Sequence, residues 1–243
     1  MFCYHNDKHY ALTCFHVGYN KDDIDKFPDM LYEVKNDPKG VELFLNSNKY
    51  FYTPPENPSE IPLGHRCRLY SLEKDTDIMA IEVDENVGEY CKRQGISRPR
   101  WSSLWKELHK RVNSRVTPNP KVMKFDGKNN RKGVIFRTNF CYFNMETNID
   151  IKNAVLVKSK KHFLLGGESG VLVFFIDKKK QKQAFGYGVA RWIFEEDDEE
   201  KPVPDPEYPY YYICFKLQKA LCNLFGEGSF ERCGCFERCA NGN

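Results

Sequence analysis

Leu164-Leu165-Gly166-Gly167-Glu168-Ser169-Gly170-Val171-Leu172-Val173-Phe174-Phe175 is the stretch on which the reading of this chain turns. A serine stands among glycines and is followed at once by a continuous apolar run. That is the pattern of a side chain displayed on a tight turn from which a strand enters a core. Glycines let the backbone take conformations closed to other residues, and they let a reacting carbonyl come close to the amides. A glycine-rich hairpin with an incidental serine is the plainer alternative, and the motif by itself does not decide between the two.

Outward from this turn, strand signals repeat. Val122 to Phe125, Gly133 to Arg137, Cys141 to Phe143, Asn153 to Val157, Gly170 to Ile176 and Ala184 to Trp192 are short runs rich in aromatic and β-branched residues. Asp126-Gly127, Asn129-Asn130 and Lys178 to Lys182 stand between runs as hairpin tips. Toward the N-terminus, Phe2 to Val17 reads as two strands around a polar turn at His5 to Lys8, the second running from His9 to Val17 with His16 at its end. Val41 to Leu45 and Lys49 to Tyr52 read as a hairpin, and a short strand is expected around Leu31 to Val34. Pro54, Pro55, Pro58 and Pro62 impose an extended surface segment. Arg66 to Leu72 and Asp77 to Val83 read as another strand pair, with Asp77 at the start of a buried strand. Many short strands with turns between them predict an all-β barrel or sandwich.

Three segments depart from that pattern. Trp101, Leu104, Trp105, Leu108 and Val112 lie on one helical face, which predicts an amphipathic helix with Lys106, Lys110 and Arg111 on its outer side. Ile213, Leu217, Ala220, Leu221 and Leu224 predict a closing helix within Tyr210 to Phe225. Glu195 to Glu200, followed by Pro202, Pro204, Pro206 and Pro209, is an acidic, proline-rich surface loop that cannot fill a core.

Composition narrows the function classes. The 243 residues are 41% hydrophobic and 14% aromatic, enough for a large core. Net charge is only +3, from 37 basic and 34 acidic side chains. That balance gives no general reason to expect nucleic acid or a membrane surface as partner. No apolar stretch is long enough to span a bilayer, and the first residues have no basic region followed by an apolar one, so no secretory signal is read there. Ten cysteines without a signal point to a reduced, cytoplasmic setting.

His16, Asp77 and Ser169 therefore occur in that order, each at a strand edge of an all-β chain. This arrangement resembles the chymotrypsin-like (trypsin-like) serine proteases over roughly residues 1 to 225, though its specific motifs amount to only a few short stretches. The resemblance implies two six-stranded antiparallel barrels: residues 1-100 carrying the histidine and aspartate, a helical linker at 101-120, residues 121-225 carrying the serine and closing helix, and a cysteine-rich tail at 226-243. It implies a polypeptide substrate and no cofactor. His16 would take the proton of Ser169 as the hydroxyl attacks, Asp77 would hold the imidazole, and the amides of Gly167 and Ser169 would form the oxyanion hole. Phe163 and Leu164 would lie near the base of the primary substrate pocket, with Gly188 and Ala190 on its wall. Such an apolar base predicts an uncharged residue before the scissile bond.

Several positions differ from the family pattern. Glu168 stands where activated digestive members carry the aspartate that pairs with a new N-terminus, so activation of that kind is not expected. Val17 and Leu165 stand where extracellular members place cysteines, again implying a reduced setting. Only fifteen residues precede His16, so the first barrel is expected to lack its opening strand and to offer an exposed edge for association. Cys222, Cys233, Cys235 and Cys239 could supply thiolates to zinc, but they lack paired Cys-x₂-Cys spacing, and a tail without metal is the plainer reading. The alternative to an enzyme is a catalytically inactive module of the same fold that binds partners without cutting them.

Overall fold

The computed structural model describes residues 2–6, 8–18, 50–52, 61–64, 66–71, 75–83, 95–96, 101–114, 118–125, 130–144, 149–192, 207–226 and 234–236. Its strands are β1 Phe2–His5, β2 Lys8–Thr13, β3 Tyr50–Tyr52, β4 Ile61–Gly64, β5 Arg66–Ser71, β6 Ile78–Glu82, β7 Gly95–Ile96, β8 Lys121–Phe125, β9 Asn130–Asn144, β10 Ile149–Ser159, β11 Leu172–Ile176, β12 Lys182–Trp192, β13 Tyr210–Lys216 and β14 Gly234–Phe236. Helices are α1 Trp101–Val112 and α2 Leu217–Phe225, and a single 3₁₀ turn covers Phe15–Gly18. Every strand pair described is antiparallel, as the all-β reading requires. No helix among the described residues is long and apolar enough to cross a membrane.

The chain forms two compact units, one from residues 1–72, 77–96 and 221–243 and one from residues 73–76 and 97–220. In the first, six strands lie in the order β5-β6-β2-β1-β14-β7, an open sheet. Residues 234–236, expected in a tail beyond the second barrel, instead pair with Phe2 to Tyr4. His5 and Tyr10 cover their side of this unit by packing on Phe225, with ring centroids 4.5 and 5.3 Å away. The expected partner of Tyr50–Tyr52 was Val41 to Leu45, which lies outside the described residues, as does the strand expected at Leu31 to Val34. Tyr50–Tyr52 pairs with Ile61–Gly64, so Pro62, expected in an extended segment, belongs to a strand. A two-stranded sheet has only edge strands, which tolerate the missing amide.

The second unit is a closed barrel, β10-β13-β12-β11-β8-β9. The runs expected at Gly133 to Arg137 and Cys141 to Phe143 are one continuous strand, β9. Its polar middle turns inward without penalty, because buried Thr138 meets the His109 ring nitrogen at 2.7 Å. Tyr210–Lys216, expected within a helix, is the strand that closes the barrel, pairing with β10 on one side and β12 on the other. Its aromatic and β-branched run suits a pleated, buried surface, and only from Leu217 does the helical spacing take over. Phe163, Phe175, Phe185 and Tyr212 are fully buried in the core together with Leu108 of α1. Each such side chain removed from water contributes about 1.5–3 kcal/mol. Burial also pushes the Cys214 thiol up to about 12, so it stays protonated there.

Close packing fixes two glycines of β12. A Cβ on Gly186 would stand 2.5 Å from the backbone oxygen of Phe215, whereas on Gly188 it would meet the δ-carbons of Leu164 at 2.7 Å. A backbone carbonyl in a strand cannot step aside as a leucine terminus can. Gly186→Ala is therefore expected to cost about 1–3 kcal/mol and Gly188→Ala clearly less. Urea unfolding midpoints of the two variants measure this; equal costs would contradict it.

Candidate active site

The pairing of β2 with β6 decides where His16 and Asp77 meet. Tyr10 lies opposite Glu82, Ala11 opposite Ile81, Leu12 opposite Ala80 and Thr13 opposite Met79. Continued past the strand ends, that register brings Phe15 and His16 beside Asp77, 61 residues away in sequence. His16 is not the last residue of a strand, as expected from the unbroken apolar run. The strand ends at Thr13, and the 3₁₀ turn Phe15–Gly18 carries the imidazole, with Phe15 fully buried beneath it.

Asp77 uses both carboxylate oxygens on His16. Oδ1 accepts the backbone N–H at 3.1 Å, and Oδ2 makes a short hydrogen bond with Nδ1. A carboxylate only accepts, so in the neutral ring Nδ1 carries the hydrogen and Nε2 is left as the basic nitrogen. Asp77 is largely enclosed, with 18% of its side chain exposed, while 42% of the imidazole remains open. Burial acts to lower the His16 pKa and is the largest single influence. The hydrogen bond to Asp77 and its negative charge together outweigh it, and the pKa lies above the usual 6.5.

Ser169 belongs to the other unit, on the turn between Leu164 and β11. Gly167 and Gly170 have φ of 80° and 85°, the left-handed conformation that glycine takes without strain. Glu168 N–H donates to Leu165 O and Val171 N–H to Glu168 O, each at 3.2 Å, so the chain reverses within a few residues. The turn is tied to β12 by Gly170 N–H to Gly188 O at 2.8 Å and Gly188 N–H to Val171 O at 2.9 Å. Ser169 Oγ donates to Val189 O at 2.9 Å. Val189 is the extra residue of a β-bulge, since the β12–β13 register shifts between Gly188 and Ala190. Bulges of this kind re-aim a strand's groups near a site.

The remaining expected residues are distributed as follows. Phe163 is fully buried in the barrel core, Leu164 is almost so and lies against Gly188, and Ala190 is exposed on β12. The amide of Gly167 donates to no carbonyl among the described residues. Cys14, His16 and Asp77 bring their sulfur, nitrogen and oxygen atoms within 4.8 Å of one another, the one such donor cluster among the described residues. Nδ1 and Oδ2 already bind each other there, so a metal would have to displace that hydrogen bond. Of the four cysteines considered for zinc, Cys233 and Cys239 lie outside the described residues, and Cys222 is half-buried on α2.

Two participants escaped the sequence reading. Val189 contributes only a carbonyl, which no side-chain pattern announces. Lys124 is wholly buried and ion-paired with Glu168, the residue before the serine. Its signal was present: Lys124 stands two residues after Val122, on the inward side of β8.

No protein-family model matches the chain, and no curated protein matches its sequence. Among solved structures it is similar to serine-protease folds. One is a glutamic-acid-specific serine protease described as using a histidine triad in substrate binding, with 12% identity, a TM-score of 0.47, and 90% of this chain and 86% of that chain covered. Another is the MamO protease domain from Magnetospirillum magneticum in its apo form, with 11% identity, a TM-score of 0.40, and 88% of this chain and 82% of that chain covered.

Asp77→Asn tests the electrostatics. With the charge removed and burial retained, the His16 pKa is expected to fall below 6.5. Imidazole NMR titration of the variant measures it, and a value still above 6.5 would contradict the assignment of cause.

Proposed function

We propose that the chain is a serine endopeptidase in which Ser169 is the nucleophile, His16 the general base and Asp77 the residue that fixes the imidazole. The observation that carries this reading is the pair of hydrogen bonds that His16 donates to Asp77, which leaves Nε2 as the basic nitrogen on a half-open ring. A serine hydroxyl is a weak nucleophile at neutral pH and needs such a base. As Oγ adds to the carbonyl carbon, Nε2 takes its proton and the carbonyl electron pair moves onto oxygen. When the tetrahedral intermediate collapses, the C–N bond breaks and the imidazolium returns the proton to the leaving amine. Water then adds to the acyl-serine by the same steps and regenerates the hydroxyl.

The amides of Gly167 and Ser169 are the proposed oxyanion donors. Supporting this are the turn's left-handed glycine and the Gly167 amide, which donates to no carbonyl among the described residues. Backbone donors preset in this way stabilise the developing charge without reorganising during the reaction. The proposed reaction requires the Ser169 hydroxyl to leave Val189 O, to which it donates at 2.9 Å.

Fluorophosphonate labelling of the purified protein tests the mechanism. Wild type is expected to label, Ser169→Ala not at all, and His16→Ala at least about 10³-fold more slowly. The labelling rate should fall as pH drops through the raised His16 pKa, because protonation removes the base. A folded wild type that does not label would favour the alternative, an inactive binding module of the same fold.

Phe163 and Leu164 are proposed at the base of the primary substrate pocket and Gly188 and Ala190 on its wall. None of these side chains carries a charge to pair with lysine or arginine. A peptide-library profile is therefore expected to show uncharged residues before the cleaved bond, and a profile dominated by arginine or lysine would overturn it.

A further inference from the structure

Lys124 has 0% exposure and its ammonium reaches the carboxylate of Glu168. Its neighbours on that face are Val122, Val173 and, across the β8–β9 ladder, Arg131. Val122 precedes it by two residues on the same strand, and Val173, which pairs with it across β8–β11, is fully buried. A charge so placed must be paired or give up its proton. Among the described residues Glu168 is its only ion-pair partner.

Glu168 is not a core residue. It belongs to the turn 165–170, of which residues 165–167 are exposed, and its other oxygen accepts the backbone N–H of Leu165 at 2.6 Å. Arg131 approaches that same oxygen at 3.8 Å. One carboxylate thus joins the barrel interior to the backbone at the start of the turn that presents Ser169. Leu165 is 46% exposed, so packing of its side chain does not hold this part of the turn down. Without the ammonium, only Arg131 at 3.8 Å would remain beside the carboxylate, too far for a close ion pair; the carboxylate would gain more hydration by swinging to solvent than by staying, and the Leu165 amide would lose its acceptor.

We propose that the buried Lys124–Glu168 ion pair is an internal clamp that holds residues 165–169 in the conformation presenting the Gly167 and Ser169 amides. Lys124 is a positioning residue and touches no reacting atom. The clamp lies within one chain, so the turn is set on folding and requires no cleavage of the chain. Its catalytic consequence rests on the serine-peptidase reading above, whereas its effect on the turn does not.

Wild type, Lys124→Met, and the double variant Lys124→Met/Glu168→Leu, which also removes the acceptor for the Leu165 amide, are compared as full-length chains. The double variant removes the buried charge together with its counter-ion, which proteins commonly tolerate, so it folds even where the single variant does not. Two readouts are taken: the fluorophosphonate labelling rate, and amide hydrogen exchange at residues 165–170 relative to β11 and β12 of the same chain. Both variants are expected to label about 10²-fold more slowly or worse, the loss associated with one oxyanion donor. Exchange at 165–170 should rise by about tenfold or more while β11 and β12 keep their protection. A role confined to neutralising buried charge predicts that the double variant recovers wild-type labelling and exchange, and that result would overturn the proposal. If wild type itself does not label, the peptidase reading fails and hydrogen exchange alone decides the clamp.

Discussion

An ammonium group inside an apolar barrel constrains everything near it. Transfer of such a charge out of water costs several kcal/mol even after the protein relaxes, so it persists only with a counter-charge in contact. Lys124 can reach no farther than its own stem, and so the counter-charge has to come to it. Glu168 does, and in doing so it draws in the backbone on either side: Leu165 through the carboxylate, Val171 through the Glu168 carbonyl. The left-handed glycines at 167 and 170 are what allow the chain to bend that sharply around a side chain aimed inward.

The histidine site in the other unit rests on sheet register. His16 and Asp77 are far apart in sequence, and the ladder between β2 and β6 brings them level. Ile78 to Ile81 are all buried, so β6 is packed on both faces, and a one-residue slip would put each side chain into a space shaped for its neighbour. Hydrophobic burial along two strands therefore sets the hydrogen bond at their ends, and the hydrogen bond in turn holds the imidazole's tautomer and basicity.

Elements whose local pattern agrees with their tertiary role were legible. Helix α1 was read to the residue because Trp101, Leu104 and Leu108 bury one face. The Lys178 to Lys182 tip holds because Asp177 and Gln181 close the turn and Lys180 sits at φ 61°. Elements decided by distant partners were not. Tyr210 to Phe225 carries an apolar spacing that suits a helix throughout, and only pairing to β10 and β12 makes its first half a strand. The run from His9 to Val17 has no local stop signal, so the end of β2 was placed too late. Residues 234–236 join β1 through a pairing of the greatest sequence separation in the sheet, which no local periodicity encodes. Within the candidate site, side-chain types such as His16, Asp77 and Ser169 announce themselves, while a backbone carbonyl such as that of Val189 does not.

The two carboxylates share a division of labour. Asp77 gives one oxygen to the backbone amide of His16 and the other to its ring; Glu168 gives one to the amide of Leu165 and the other to Lys124. Splitting a carboxylate in this way couples a side chain's orientation to the main chain, whose conformation many other bonds already fix. A carboxylate held only by another side chain could follow that side chain through its rotamers. Held also by an amide, it has one position, and the imidazole or turn attached to it inherits that position. Charge is needed on the side-chain half of each arrangement, because it sets the basicity of His16 and matches the buried ammonium. The amide half needs only an acceptor, so replacing either carboxylate by its amide separates geometric from electrostatic contributions at both places.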